Sequence, residues 1–300
     1  MPVVQLVGVT KAYETKVAVN NLSLSIDAGQ MFGLLGPNGA GKTSSIRMMM
    51  GITIPDSGSI RLFDKPFERQ SLDNVGYLPE ERGLYKKMKV LDQLVFFGQL
   101  HGIPVEEAKK RSTKWAERME IADVLVKKTE ELSKGMQQKI QFIATLLHDP
   151  GLIVMDEPFS GLDPVNAVLV EKTLLELKSQ GKAILFSTHR MDQVEKLCDS
   201  ICLVNNGRAV LAGTMRQIKS TYERNRVIIE FEGSSAFLNS PEIAEAKNFS
   251  GHSEIRLKEG GDAQKLLHEA AAVAAIYRFE VVEPSLEEIF IQTVGGKANA

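Results

Sequence analysis

At 300 residues the chain can form one large domain, or a domain of about 200 residues with a smaller companion; two domains is the expectation. Hydrophobic residues at 43% and charged residues at 25% match an ordinary globular protein and argue against disorder. The 36 basic side chains nearly cancel the 38 acidic ones, leaving a net charge of −2, which excludes the electrostatic footprint of a general nucleic-acid binder.

The first segment, MPVVQLVGVTKAY, lacks the basic, apolar and small-residue succession of a secretory leader. Apolar runs such as AAAVAAIY fall far short of the ~20 residues that a spanning helix needs, so a chain neither exported nor membrane-spanning is expected. VVQLVGV and VAVNNLSLSI alternate as strands do, and QMFGLLG reads as a short buried strand running into a glycine-rich turn. That turn carries G-x-x-x-x-G-K-[ST] at Gly36 to Thr43, between a predicted strand and a predicted helix. From average composition such a match arises by chance on the order of once per hundred chains, and the strand and helix around it lower that further. Backbone N–H groups of such a loop surround phosphates; Lys42 reaches the β and γ oxygens, and the Thr43 hydroxyl can ligate Mg²⁺.

From about Leu91 to Leu147 the pattern turns helical: LDQLVFFGQLHGIP, EEAKKRSTKWAERMEIADVL and ELSKGMQQKIQFIATLLHDP all have helical spacing, which suggests a helical subdomain inserted into an α/β core. In the last of these, Ser133 begins a helix with the apolar stripe Met136, Ile140, Ile143, Ala144 and Leu147. Ser133 is therefore expected as an N-cap, and with the small Gly135 beside it the helix start is also a candidate anion site. The segments GLIVMDEP, KAILFSTH and SICLVNNG, separated by helical stretches, then resume a parallel sheet. The first ends in Asp156 and Glu157, which point to opposite faces if the strand continues through them. Asp156 then suits a magnesium ion and Glu157 a water attacking the γ-phosphate. His189 ends the strand AILFSTH at the carboxyl edge, where ligands of open α/β sheets collect. The remaining histidines, His101, His148, His252 and His268, receive no chemistry. Cys198 and Cys202 sit in an apolar segment without metal-ligand spacing and are expected as buried, reduced thiols.

Beyond about residue 221 the strands RVIIEFEG, SEIRLKEG and IYRFEVV and the helices DAQKLLHEAAAVAA and SLEEIFIQTVG suggest a small α+β domain. Ser285 and Glu288 form a capping box on its last helix.

The succession Tyr13, phosphate loop, ELSKGMQQ, IVMDEP, SGLD and His189 resembles the nucleotide-binding subunit of ATP-binding cassette (ABC) transporters across roughly residues 1 to 220. The resemblance implies a P-loop NTPase core with an antiparallel β-subdomain and an inserted helical subdomain at about 85–150, followed by a small C-terminal α+β domain at 221–300. By the same resemblance Gly36, Pro37, Asn38, Gly39, Ala40, Gly41, Lys42, Thr43 and Ser44 hold the phosphates of ATP, Tyr13 stacks on adenine, and Thr43, Asp156 and Glu80 serve Mg²⁺. Lys42, Glu157 and His189 are then the catalytic set. Ser133 and Gly135, in place of the LSGGQ signature, bind the γ-phosphate held by a second copy, and Asp163 links the two sites. Two departures stand out. Glu80 occupies the place of a usual Gln, and Lys134 and Met136 stand where the signature has Gly and Gln. An added negative charge at Glu80 should weaken a phosphate contact unless a cation offsets it.

The EERGLY loop, the single cassette and the C-terminal domain look more narrowly like ATPase subunits of bacterial sodium-efflux and drug-resistance exporters. The implied protein sits on the cytoplasmic face of the cell membrane as a peripheral subunit, dimerises around two MgATP, and drives separate membrane-spanning subunits docked near Glu80 and the helical subdomain. No nucleic-acid partner is expected. The rival reading, a soluble cassette ATPase acting on nucleic acid or ribosomes, is disfavoured by the single cassette and the lack of a coiled-coil insert or basic tract. An ATP sensor without turnover is disfavoured by the intact Lys42, Asp156, Glu157 and His189 set. The cargo is not written in this chain.

Overall fold

The computed structural model describes residues 2–14, 16–81, 83–222 and 225–295. The chain opens with strands β1 (Pro2–Tyr13), β2 (Lys16–Asp27) and β3 (Met31–Leu35), then helix α1 (Lys42–Met49), β4 (Ser57–Leu62), β5 (Lys65–Pro66) and β6 (Val75–Leu78). Three helices follow, α2 (Val90–Leu100), α3 (Val105–Arg118) and α4 (Lys134–Leu146). The alternation then continues as β7 (Leu152–Asp156), α5 (Pro164–Ser179), β8 (Ala183–Thr188), α6 (Met191–Leu197), β9 (Ser200–Asn205) and β10 (Arg208–Thr214). After α7 (Met215–Ser220) come β11 (Arg226–Gly233), β12 (Ile243–Asn248), β13 (Ser253–Leu257), α8 (Ala263–Ala271), β14 (Ala274–Val282) and α9 (Leu286–Gly295). The chain divides into two compact units, Met1–Met215 and Arg216–Ala300.

The first unit contains two sheets. One is antiparallel with order β2-β1-β4-β5, and the other has order β10-β9-β3-β8-β7-β6 with all but β10 parallel. Strands β3, β7 and β8 are buried at every residue, as apolar runs covered on both faces require. Strand β2 instead alternates buried and exposed positions towards its end, so one face of the antiparallel sheet meets the core and the other does not. Val4, Leu6, Leu22 and Ile26 of that sheet pack with Leu34, Val154, Leu185 and Ile46 into one core, which fixes the phosphate loop between two layers.

The helical run departs from a simple amphipathic stripe. Ile140, Ile143 and Leu147 are buried as expected, but so are Gln138, Lys139 and Gln141. Each has a polar partner: Gln138 Nε2 donates to Pro158 O at 3.0 Å, Lys139 Nζ to Met119 O at 2.8 Å and Gln141 Nε2 to Glu81 O at 3.4 Å. Such pairing is what makes burial of Gln138 and Lys139 tolerable, whereas Gln141 Oε1 has no partner among the described residues. Cys198 and Cys202 are buried free thiols, and burial pushes Cys202 up to about 12.

The second unit is a four-stranded antiparallel sheet of order β12-β13-β11-β14. Val227, Ile229, Phe237, Ile255, Leu257, Leu266 and Ala270 form its core. The alanine-rich sequence predicts helix through Ala275, yet α8 stops at Ala271, and Ala274 and Ala275 pair with Gly233 and Glu232 of β11. Sheet pairing outweighs the helical preference of alanine there. The Ser285 capping box forms, with Ser285 N donating to Glu288 Oε2 at 2.9 Å and Glu288 N to Ser285 Oγ at 3.3 Å.

Candidate functional site

The carboxyl ends of β3, β8 and β7 lie side by side, with Leu35 opposite Thr188 and Asp156 opposite Ser187. The loop after β3 turns through Gly36 (φ +148) and Gly41 (φ +112) into the first residue of α1. A Cβ at Gly36 would lie 2.2 Å from Val204 O and one at Gly41 2.3 Å from Ala18 O, so only glycine permits this path. Lys42 folds back over the loop, its Nζ donating to Gly36 O at 2.7 Å and Pro37 O at 3.1 Å. Burial holds the Lys42 ammonium below the usual lysine range, against the opposing pull of Glu157, Asp156 and Glu80.

A cleft of about 400 Å³ brings together Tyr13, Asn38, Gly39, Gly41, Lys42, Thr43, Ser44, Glu80, Asp156 and Glu157, all singled out from the sequence. Gly36, Pro37 and Ala40 support the loop from outside the lining: the two carbonyls hold Lys42, and Ala40 O accepts from Gly207 N at 2.8 Å. Tyr13 closes one end, 42% exposed, with Lys11 Nζ 5.7 Å from its ring centroid. Lys16 and Ala18 also line the cleft and escaped sequence reading, because nothing local distinguishes them from the rest of β2.

The two acids are separated by a turn and not by strand alternation. Strand β7 ends at Asp156, and Glu157 adopts φ 52, in the left-handed region. The conditional expectation of opposite faces along a continuing strand is thereby corrected: the chain swings at Glu157, so both carboxylates line one cleft. Asp156 is 1% exposed; its Oδ1 accepts from Ser187 Oγ, while Oδ2 has no partner among the described residues. Glu157 Oε2 accepts from Thr188 Oγ1 at 3.2 Å, and its Oε1 lies 2.9 Å from His189 Nδ1. His189 therefore sits just beyond β8 and touches Glu157; it is not among the cleft-lining residues. An ionised carboxylate only accepts, so this contact places a hydrogen on Nδ1.

Ser133, Gly135 and Asp163 lie elsewhere, in a second cleft of about 570 Å³ that shares no lining residue with the first. Ser133 is the N-cap of α4, its Oγ accepting from Met136 N at 3.3 Å. Asp163 caps α5, accepting from Asn166 N at 3.0 Å, and the hydrogen bonds from Asn166 hold its carboxyl below the usual range. A Cβ on Gly135 would stand 3.2 Å from Gly161 O, so the two helix starts are packed closely. Lys134 and Lys139 also line this cleft, with Lys134 exposed and Lys139 buried.

The fold and the two clefts can be set beside known proteins. The family model described as ABC transporter matches residues 19–160, and that described as ATP-binding protein DrrA1-3-like, C-terminal domain, matches residues 213–294. An uncharacterized ABC transporter ATP-binding protein of Bacillus subtilis is 44% identical over 288 residues, covering 96% of this chain and 97% of its own. The chain belongs to the ABC transporter ATP-binding proteins. This ABC ATP-binding subunit is also 31% identical over 295 residues to the Nod factor export ATP-binding protein I of a Rhizobium species, with 97% of each chain covered. Among solved structures it is similar to cbiO1 of Clostridium perfringens, described as part of the ABC transporter complex cbiONQ. That likeness has a TM-score of 0.65 and 25% identity, covering 73% of this chain and 91% of the other. As a member of this family the ABC subunit binds ATP and is an ATPase.

The residues present fit a magnesium nucleotide. The orphaned Asp156 Oδ2 is a buried acceptor at the cleft, and the cations Lys42 and Lys16 share its lining with the three carboxylates of Glu80, Asp156 and Glu157. A buried acceptor without a donor is costly, and a hydrated magnesium ion would give Asp156 Oδ2 a partner.

Proposed function

We propose that this subunit hydrolyses MgATP as a dimer and so drives export through separate membrane-spanning subunits. The observation that carries the reading is the pair of clefts. One holds the glycine loop, Lys42 and the Asp156–Glu157 pair; the other holds Ser133, Gly135 and Asp163 at helix starts, and neither the loop nor that acid pair is among its lining residues. Two copies facing each other complete both half-sites, with α4 of each copy presenting its N-terminal end to the phosphate on the other. The Nod factor relative supports export, and the cbiONQ complex supports assembly with other subunits. Among the described residues no helix is long and apolar enough to cross a membrane. Membership of the ABC family supports a pathway formed by partner subunits, with this subunit peripheral at the cytoplasmic face. The ATPase domain runs to about residue 220, helical subdomain included, and the C-terminal α+β domain follows; the break at Met215/Arg216 supports this division.

Thr43, Asp156 and Glu80 would hold a magnesium ion, which would supply positive charge to offset that of the phosphate oxygens. Tyr13 stacks on adenine, and the backbone of Gly36 through Ser44 surrounds the phosphates. Lys42 exchanges its bonds to Gly36 O and Pro37 O for the β and γ oxygens. Glu157 takes the proton of the attacking water as that oxygen bonds to γ-phosphorus; the bond from γ-phosphorus to the bridging oxygen breaks and ADP leaves with the electron pair. His189 holds Glu157 through Nδ1; a phosphate oxygen only accepts, so Nε2 meets the γ-phosphate only when that nitrogen carries a hydrogen as well. Catalysis is then chiefly positioning and electrostatics.

The test is detergent purification of the tagged chain from its native membranes, followed by mass spectrometry. The reading expects a stoichiometric polytopic companion. Recovery only from the soluble fraction, with ribosomes or nucleic acid, would overturn it.

A further inference from the structure

Ser187 was not singled out by its sequence, yet it touches both acids of the site. It is 0% exposed, opposite Asp156 in the parallel register of β7 and β8, where facing residues share one side of the sheet. Its Oγ donates to Asp156 Oδ1. A hydroxyl has one hydrogen, and a carboxylate can only accept, so that hydrogen is committed to Asp156 and the oxygen's lone pairs remain. Those face Glu157, whose N–H reaches Ser187 Oγ at 3.3 Å and Ser187 O at 3.1 Å. Glu157 is the residue at φ 52, a conformation that side chains with a Cβ adopt only when their surroundings hold them there.

We propose that Ser187 is a positioning residue for the magnesium nucleotide: one hydroxyl fixes the rotation of the Asp156 carboxylate, leaving Oδ2 as its free acceptor, and braces the left-handed turn that brings Glu157 into the cleft. The inference rests on the reading of Asp156 as the acid that serves Mg²⁺. Without the hydroxyl, Asp156 loses the one side-chain donor it has among the described residues, and Oδ1 joins Oδ2 as an unpartnered acceptor. Glu157 N keeps the Ser187 carbonyl but loses the shared acceptor. Metal binding should weaken while the phosphate loop, which Ser187 does not touch, keeps the nucleotide.

The test measures Mn²⁺ binding by electron paramagnetic resonance in the presence of a non-hydrolysable ATP analogue, beside metal-free nucleotide binding and a thermal melt. The variants are Ser187→Ala, Ser187→Thr, Ser187→Cys and Asp156→Asn. Ser187→Ala should weaken Mn²⁺ about tenfold, the worth of one hydrogen bond to a charged group, with metal-free nucleotide affinity within about twofold of wild type. Ser187→Thr, which keeps the hydroxyl, should restore most of the loss. Should the extra methyl unfold it, Ser187→Cys, of nearly equal size with a weak donor, should fall between wild type and alanine. Wild-type Mn²⁺ affinity in Ser187→Ala, with Asp156→Asn impaired, would overturn the inference alone; wild-type affinity in Asp156→Asn would overturn the metal reading with it.

Discussion

Replacing Glu157 with Gln removes one charge and almost nothing else. The carboxylate accepts from Thr188 Oγ1 at 3.2 Å and meets His189 Nδ1 at 2.9 Å. Gln has the same length; its oxygen can accept from His189, and its amide can donate to Thr188, whose hydroxyl both gives and takes. The side chain is only 14% exposed, so the turn around it should keep its packing and stability should move by no more than about 1 kcal/mol. The amide cannot take a proton from water. Losing a positioned general base costs a factor of about 10² to 10⁴, or roughly 3 to 5 kcal/mol of transition-state stabilisation. Phosphate release at saturating MgATP should therefore fall by that factor, while nucleotide affinity, read by fluorescence titration, stays within about threefold because Lys42 and the loop are untouched. Hydrolysis within twofold of wild type would refute the general-base assignment, whatever happened to binding.

Gly41→Ala should both destabilise the fold and abolish tight nucleotide binding, since a Cβ at φ +112 would stand 2.3 Å from Ala18 O. Strain of about 1–3 kcal/mol should show as a lower denaturant midpoint, whereas Gly83→Ala, with nothing within 4 Å of its Cβ, should leave midpoint and affinity unchanged. Acid should weaken the fold through His148, whose imidazole burial and the stacked His101 ring push from the ordinary 6.5 down to about 4. Because the unfolded chain binds that proton more readily, stability is full above pH 6.5 and drains away as pH falls from 6.5 through 4. The gap, at roughly 1.4 kcal/mol per pH unit, caps the loss at about 3 kcal/mol, and solvent at the half-buried ring trims it. His148→Gln should flatten the difference between melts at pH 7.5 and pH 5; an unchanged difference would exclude His148 as its source.

The parts of the site that need a fixed local backbone were readable in the sequence. A glycine-rich loop ending in Lys42 and Thr43, a strand ending in two acids and a serine at a helix start each carry their geometry within a few residues. What the sequence hid depends on pairings between strands. Ser187 and Thr188 meet Asp156 and Glu157 only because β7 and β8 run in parallel register 31 residues apart, and Lys16 enters the cleft only because β2 passes the loop. The positive φ of Glu157 was equally invisible, since a strand followed by charged residues looks locally like one that continues. Gln138 and Lys139 lie outside the apolar stripe of α4, yet they are buried, with Pro158 and Met119 offering carbonyls to them. In the second unit the run at residues 270–275 satisfies helix and strand alike, and pairing with β11 decides where α8 ends.

Sedimentation velocity of the Glu157→Gln protein measures most directly whether two copies share their nucleotide sites. With MgATP it should sediment as a species of twice the 33.1 kDa chain, and without nucleotide as a monomer. Adding Ser133→Arg, which places a bulky side chain at the exposed helix start in the second cleft, should leave ATP binding to the monomer intact and abolish the heavier species. A chain that stays monomeric with bound MgATP, or a dimer indifferent to Ser133→Arg, would contradict the shared site.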